Sequence, residues 1–245
     1  MARREIEIRA VDGMAKAVLA PPASPVASKA GVILYMDAFG PREALYRIAE
    51  RLAGHGYSVL VPDLFYRFGA YEPFDAKTAF ANEKTGTLLR KMIAETTQEM
   101  TARDSGAFIE ALSANGATGP VGVVGYCMGG ARALNAAAAY PDQIVAAASF
   151  HGGNLASDAP DSPHRKAASI KARLYIGSAG VDRSFPPEQS SRLDEALRTA
   201  GVDYIMENYV GMEHGWCVSD HRVYDEKGAE RHWKRLTTFF AETLA

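Results

Sequence analysis

A chain of 245 residues, 47% hydrophobic and 23% charged, is of a length that α/β proteins fold around one extended core, so a single domain over residues 1–245 is the expectation. Its 27 Lys and Arg against 29 Asp and Glu leave a formal net charge of −2, which supplies no field to draw it onto nucleic acid or an anionic membrane. The opening MARREIEIRA has no apolar signal core and no run of about 18 apolar residues could span a bilayer, so a cytoplasmic protein acting on a small molecule, as monomer or homodimer, is expected.

The elements follow in chain order. Ile6 and Ile8 alternate with Glu5, Glu7 and Arg9, and Asp12-Gly13 leads into a second run, Ala15 to Leu19, which reads as a β-hairpin. Beyond the Pro- and Ser-containing stretch Pro21 to Ser28, the apolar run Gly31 to Met36 has the character of a strand buried on both faces. Further strands are predicted at Tyr57 to Val61, Pro120 to Gly125, Ile144 to Phe150, Ala172 to Ile176 and Asp203 to Tyr209. Helical patterns cover 42–54, 97–115, 128–140, 187–200 and 229–244. This alternation implies a mostly parallel, doubly wound sheet with an N-terminal antiparallel hairpin. Segment 64–95 fits least well, because Phe65, Tyr66, Phe68, Tyr71 and Phe74 cluster among Gly and Pro without a helical period. It reads either as a loop over a site or as an aromatic loop packed on its own residues.

The segment Val121-Gly-Val-Val-Gly125-Tyr126-Cys127-Met128-Gly129-Gly130 joins a strand to a helix through a sharp turn. Its G-x-C-x-G spacing is that of a nucleophile elbow with Cys in place of Ser, and the flanking glycines let strand and helix pass closely. The turn sets Cys127 at a helix N-terminus, whose dipole and unpaired N–H groups favour a thiolate. An inert buried thiol is the alternative. In a fold of this kind the acid and the base follow the nucleophile on later strand ends, which points to Asp182 and His214. His151 also ends a strand, but precedes Asp182; His55 reads as a helix C-cap, His164, His221 and His232 read as surface residues, and the competing carboxylates Asp194 and Asp220 read as helix-face and loop charges. Oxyanion donors would be the backbone N–H of Met128 and of Ala38, with Asp37 close enough to restrain the thiol's proton. Cys127 and Cys217 read as free thiols whose spacing matches no metal pattern.

With Met36-Asp-Ala-Phe-Gly40, Val61-Pro-Asp-Leu64, Gly125-Tyr-Cys-Met-Gly-Gly130 and His214-Gly215, the chain resembles the dienelactone hydrolase family over nearly its whole length. The resemblance implies an α/β-hydrolase fold and a cofactor-free ester or lactone hydrolase, with Cys127 as nucleophile, His214 as base then acid, and Asp182 as its orienter. It also implies that Asp37 occupies the place of a Glu that interacts with the resting thiol. Two positions depart from the pattern: Asp37 is one methylene shorter than that Glu, and Val218 stands where dienelactone-cleaving members carry an Arg that holds the substrate carboxylate. Arg67 and Arg90 are the candidates to supply that cation instead. At the level of residues two other functions remain open: a thiol redox protein in which Cys217 resolves an oxidised Cys127, and a binding protein that keeps the fold without the chemistry.

Overall fold

The structure, a computed structural model, describes residues 2–23, 29–72 and 74–244. Residues 24–28 of the predicted break Pro21 to Ser28 lie outside the described residues. Eight strands form one sheet in the order β1-β2-β4-β3-β5-β6-β7-β8. They are β1 (Arg4–Ala10), β2 (Gly13–Ala20), β3 (Gly31–Tyr35), β4 (Ser58–Pro62), β5 (Val121–Tyr126), β6 (Ile144–Phe150), β7 (Arg173–Val181) and β8 (Tyr204–Glu213). The β1–β2 hairpin and the β2–β4 pairing are antiparallel; the other pairings are parallel. The described residues include six α-helices: α1 (Glu43–Gly54), α2 (Glu83–Glu95), α3 (Gln98–Ala114), α4 (Met128–Ala139), α5 (Pro187–Ala200) and α6 (Glu226–Thr243).

The sequence accounts for this locally. Every residue of β3, β4 and β5 is buried, as continuous apolar runs in a covered parallel sheet require. Helix α4 is built from Ala131, Ala133, Ala136, Ala137 and Ala138, and these small side chains let it lie close against β5 and β6. Starts are fixed by side-chain caps: Asn82 accepts from the Thr85 amide for α2, Thr97 from Met100 for α3, and Asp225 from Gly228 for α6.

Three expectations are corrected. Helix α2 occupies the second half of segment 64–95, which carried no helical prediction. Strands β7 and β8 run several residues past their predicted ends, to Val181 and Glu213. A 3-10 helix at Pro163–Ser169 had no counterpart in the sequence reading. The aromatic half of 64–95 does pack on itself: Tyr71 stacks on Phe74 at 5.6 Å, and Phe65 meets Tyr71 edge-on at 6.1 Å.

Because β3 and β5 are neighbours while β4 lies on the far side of β3, the strand order reverses between them. In open α/β sheets the crevice at the carboxyl ends beside such a reversal is where ligands bind. Register then sets what gathers there. Tyr35 pairs with Gly125, Tyr126 with Phe150, Phe150 with Gly177 and Val181 with Glu213. Residues 36–40, Cys127, His151, Asp182 and His214 each follow one of those strand ends.

Candidate active site

Cys127 joins β5 to α4 with φ 55° and ψ −121°, a backbone conformation that costs a non-glycine residue roughly 1–3 kcal/mol and holds only where the surroundings enforce it. The neighbouring glycines show the enforcement. A Cβ on Gly125 would fall 1.9 Å from the Gly129 carbonyl oxygen, and one on Gly129 would fall 2.4 Å from the Tyr35 carbonyl oxygen. A side chain at either position would drive α4 away from the sheet. The Cys127 amide donates to the Phe150 carbonyl at 3.2 Å and to His151 Nδ1 at 3.1 Å, which ties the elbow to the end of β6.

His214 Nδ1 lies 2.6 Å from Asp182 Oδ2, each residue being the first after the paired Val181 and Glu213. The other Asp182 oxygen accepts from the Ser184 amide at 2.8 Å and from the Ser184 hydroxyl at 2.7 Å, and that hydroxyl is also 3.2 Å from His214 Nδ1. Burial works against a charge on His214, yet the adjacent Cys127 sulfur and the Asp182 hydrogen bond outweigh it and push the imidazole up to about 10. Burial likewise opposes the Asp182 charge, but its bonds to His214 and Ser184 hold the carboxyl below its usual range. The arrangement favours a protonated imidazole between a sulfur and a carboxylate.

Asp37, expected close to the thiol, makes its hydrogen bonds to other partners. It is fully buried, and its oxygens accept from Arg42 at 2.6 and 2.9 Å, from His221 Nε2 at 3.0 Å and from the Phe39 amide at 3.0 Å. Among the described residues no hydrogen bond joins it to Cys127. Burial opposes its charge, but His221 and Arg42 prevail and bring the carboxyl down to about 2. Arg42 also binds Asp220, at 2.6 and 2.8 Å. Ala38 is buried within the turn that the Asp37–Phe39 bond closes, and Met128 opens α4. Since Gly129 touches the Tyr35 and Met36 carbonyls, the two turns carrying these candidate donors lie side by side.

Two histidines assigned to the surface by sequence are buried. His232 is fully buried, with Nε2 accepting from the Tyr126 hydroxyl at 2.9 Å and Nδ1 near the Ala229 carbonyl, and burial brings it down to about 3. His221 is 9% exposed and pairs with Asp37. Asp220, also read as a plain loop charge, is the second carboxylate on Arg42. Their partners lie 106 to 184 positions away in the chain, beyond the reach of any local pattern. His151 is fully buried too, stacked edge-on to His214 at 4.8 Å, and burial holds it well below its usual value, so it serves the elbow as a neutral acceptor. His55 caps α1 as predicted.

Both cysteines are free; Cys217 is 4% exposed, and burial pushes its thiol well up, which is unsuited to a resolving thiolate. Val218 is fully buried. Arg67 is held by Asp12 at 2.7 Å and Asp104 at 2.9 Å, and Arg90 is exposed on α2 beside Gly86. Among the described residues no cluster of three or more His, Cys, Asp or Glu is arranged to hold a metal ion. Two cavities adjoin the region without being lined by Cys127 or His214. One, of about 580 Å³, lies behind Asp182 against Phe185 and Asn208. The other, of about 460 Å³, lies between Lys16, Asp63, Tyr46 and Tyr71.

A mostly parallel sheet with a left-handed cysteine at a strand-to-helix elbow, and an Asp–His pair at the ends of its last two strands, defines an α/β-hydrolase. Residues 15–244 match the profile of the dienelactone hydrolase family, and the chain belongs to that family. It is 28% identical to a carboxymethylenebutenolidase of Rhodococcus opacus over 218 residues, which cover 87% of this chain and 81% of the relative. Its fold superposes on a dienelactone hydrolase-like promiscuous phosphotriesterase from metagenomic libraries with a TM-score of 0.80 at 21% identity, covering 100% of both chains. It also superposes on a dienelactone hydrolase from Anabaena variabilis with a TM-score of 0.71 at 18% identity, covering 100% of this chain and 99% of that one.

Proposed function

We propose that this hydrolase cleaves small, uncharged esters or lactones through a thioester on Cys127, in the cytoplasm, where two free thiols persist. The observation that carries the reading is the relay from Asp182 through His214 to a cysteine held in the strained elbow. The Cys127 thiolate attacks the carbonyl carbon, and the Met128 and Ala38 amides donate to the developing oxyanion. The C–O bond breaks and His214 gives its proton to the leaving oxygen. The sulfur's charge is one reason His214 holds a proton so firmly; once the sulfur is acylated that reason is gone. The neutral imidazole then takes a proton from water as it attacks the thioester, and the thiolate leaves with the imidazolium restored. A thiolate is itself a good leaving group, so the first intermediate collapses forward only when the oxygen leaves easily, which favours enol esters, lactones and activated esters over amides.

A short-chain nitrophenyl ester in reducing buffer tests this. Wild-type protein turns it over and shows the acyl mass on Cys127, Cys127→Ala is inert, and Cys217→Ala keeps most of the activity. Equal loss in both variants would overturn the assignment of the nucleophile.

The preference for uncharged substrates rests on the candidate positions among the described residues, of which only Arg90, exposed on α2, is not apolar or already held by carboxylates. Val218 is apolar and buried, Arg42 is held by two carboxylates, and Arg67 is held by two others. A substrate carboxylate would lose water without gaining a charge-assisted partner, worth on the order of 1.5–3 kcal/mol or roughly ten- to over a hundredfold in kcat/KM. Comparing kcat/KM for an anionic dienelactone and a neutral activated ester of similar size decides the point: the neutral ester is expected to be preferred.

A further inference from the structure

Four side chains form a closed ring next to the candidate site. Asp37 accepts from Arg42, Arg42 donates to Asp220, Asp220 is joined by a peptide bond to His221, and His221 Nε2 donates back to Asp37 at 3.0 Å. Half of the ring belongs to the segment that leads from β3 into α1. The other half belongs to the segment that follows His214. His221 touches both sides closely: its ring meets Phe39 edge-on at 5.3 Å, and a Cβ on Gly215 would lie only 2.2 Å from its Nδ1. Gly215, with φ 104°, is the residue after His214. All four side chains are committed within the ring or to its own turn, and Asp37 also closes the turn around Ala38 by accepting from the Phe39 amide.

We propose that His221 is a positioning residue: through Asp37 it holds the Ala38 amide at a fixed place relative to the turn that carries His214. The proposal rests on the reading of Ala38 as an oxyanion donor and Cys127 as nucleophile. The physical reason is that a donor serves the transition state only if it is already aimed at where the charge develops; removing such a donor lowers kcat on the order of 10²–10³-fold, and a misplacement of about 1 Å on the order of 10²-fold. Arg42 fastens the Asp37 turn to the start of α1 and reaches the other segment only at the half-exposed Asp220, whereas His221 bonds Asp37 directly. The tie through His221 references it to the same element that presents the imidazole.

Oxyanion positioning can be separated from general damage, because alkylation of Cys127 by iodoacetamide displaces iodide at an sp³ carbon and forms no oxyanion. The variants are His221→Leu, which removes the donor, His221→Gln, which restores one to Asp37, and Asp37→Asn, which presents an amide to His221. The expected result is a fall in kcat for the nitrophenyl ester of roughly 30- to 100-fold in His221→Leu and Asp37→Asn, with KM and the alkylation rate within about twofold of wild type. His221→Gln is expected to recover part of the kcat. Unchanged kcat in the folded variants, or alkylation falling in parallel with ester turnover, would overturn the proposal. If His221→Leu fails to fold, Asp37→Asn and His221→Gln give the same comparison. Failure of the nucleophile assignment is read separately, from Cys127→Ala.

Discussion

At the scale of single residues the Asp182–His214 contact is backed by a third group. The Ser184 hydroxyl, 3.2 Å from His214 Nδ1, can accept from that nitrogen when the carboxylate is gone. Asp182→Ala is therefore expected to lose less than His214→Ala, which removes the proton carrier and lowers kcat by on the order of 10³-fold or more. Adding Ser184→Ala to Asp182→Ala should deepen the loss by more than Ser184→Ala alone produces, and steady-state kinetics on the three variants and the double variant checks this. The placement of Cys127, Asp182 and His214 just past strand ends was legible in sequence because the elbow spacing is local and the other two follow it in a fixed order. His221, Asp220 and Arg42 were not. Polar neighbours in the chain suggested exposure for His221 and Asp220, and what engages all three is a set of partners that only the folded chain supplies, which leaves His221 and Arg42 buried and Asp220 half-buried.

Elements were legible where periodicity is strong and illegible where an end is set by tertiary pairing. Strands β7 and β8 extend each other past their last buried residues, Ala179 and Tyr209, since Val181 pairs with Glu213 although both are exposed. That extension is what brings Asp182 and His214 together. Helix α2 escaped notice because Gly86 sits inside it and the aromatic residues before it follow no period, yet its start is marked by Asn82, whose side chain accepts from the Thr85 amide at 3.0 Å. Asn82→Ala should cost about 1 kcal/mol of stability, read as a fall in Tm of roughly 2–4 °C with ester turnover unchanged. A larger loss, or a loss of activity, would mean that α2 supports the neighbouring Asp37–Gly40 turn, which Phe80 reaches through Phe39 at 5.3 Å.

For the whole molecule the buried ionisable groups set opposing demands on pH. His232, brought down to about 3 by burial, must take up a proton on unfolding at any pH between that value and about 6.5, so its contribution is present above about 6.5 and is lost as pH falls. The loss is about 1.4 kcal/mol per pH unit, or about 2 kcal/mol by pH 5, and buried His151 adds in the same direction. Asp37, brought down to about 2, withdraws its share only below about pH 4. His214, pushed up to about 10, acts oppositely: its stabilisation is full below about 6.5 and is lost as pH rises toward 10. Urea midpoints measured from pH 4 to 10 should peak near neutrality, and His232→Gln should flatten the acid limb while leaving the alkaline limb in place. A flat profile would show that these groups keep ordinary proton affinities in the folded state.

The two edges of the sheet are unequally defended against other chains. Along β1 the outer residues Arg4, Glu5, Glu7 and Arg9 are exposed charges, which repel an incoming strand. Along β8 the exposed residues include Ile205 and Val210, the latter 78% exposed, and the charge of Glu207 is already neutralised by Arg231 and Arg235. Intermolecular strand addition in concentrated or partly opened protein will therefore begin on β8. His214 hangs from the end of that strand, so the first step toward aggregation would also pull the imidazole out of register with Asp182, and loss of activity would precede visible precipitation.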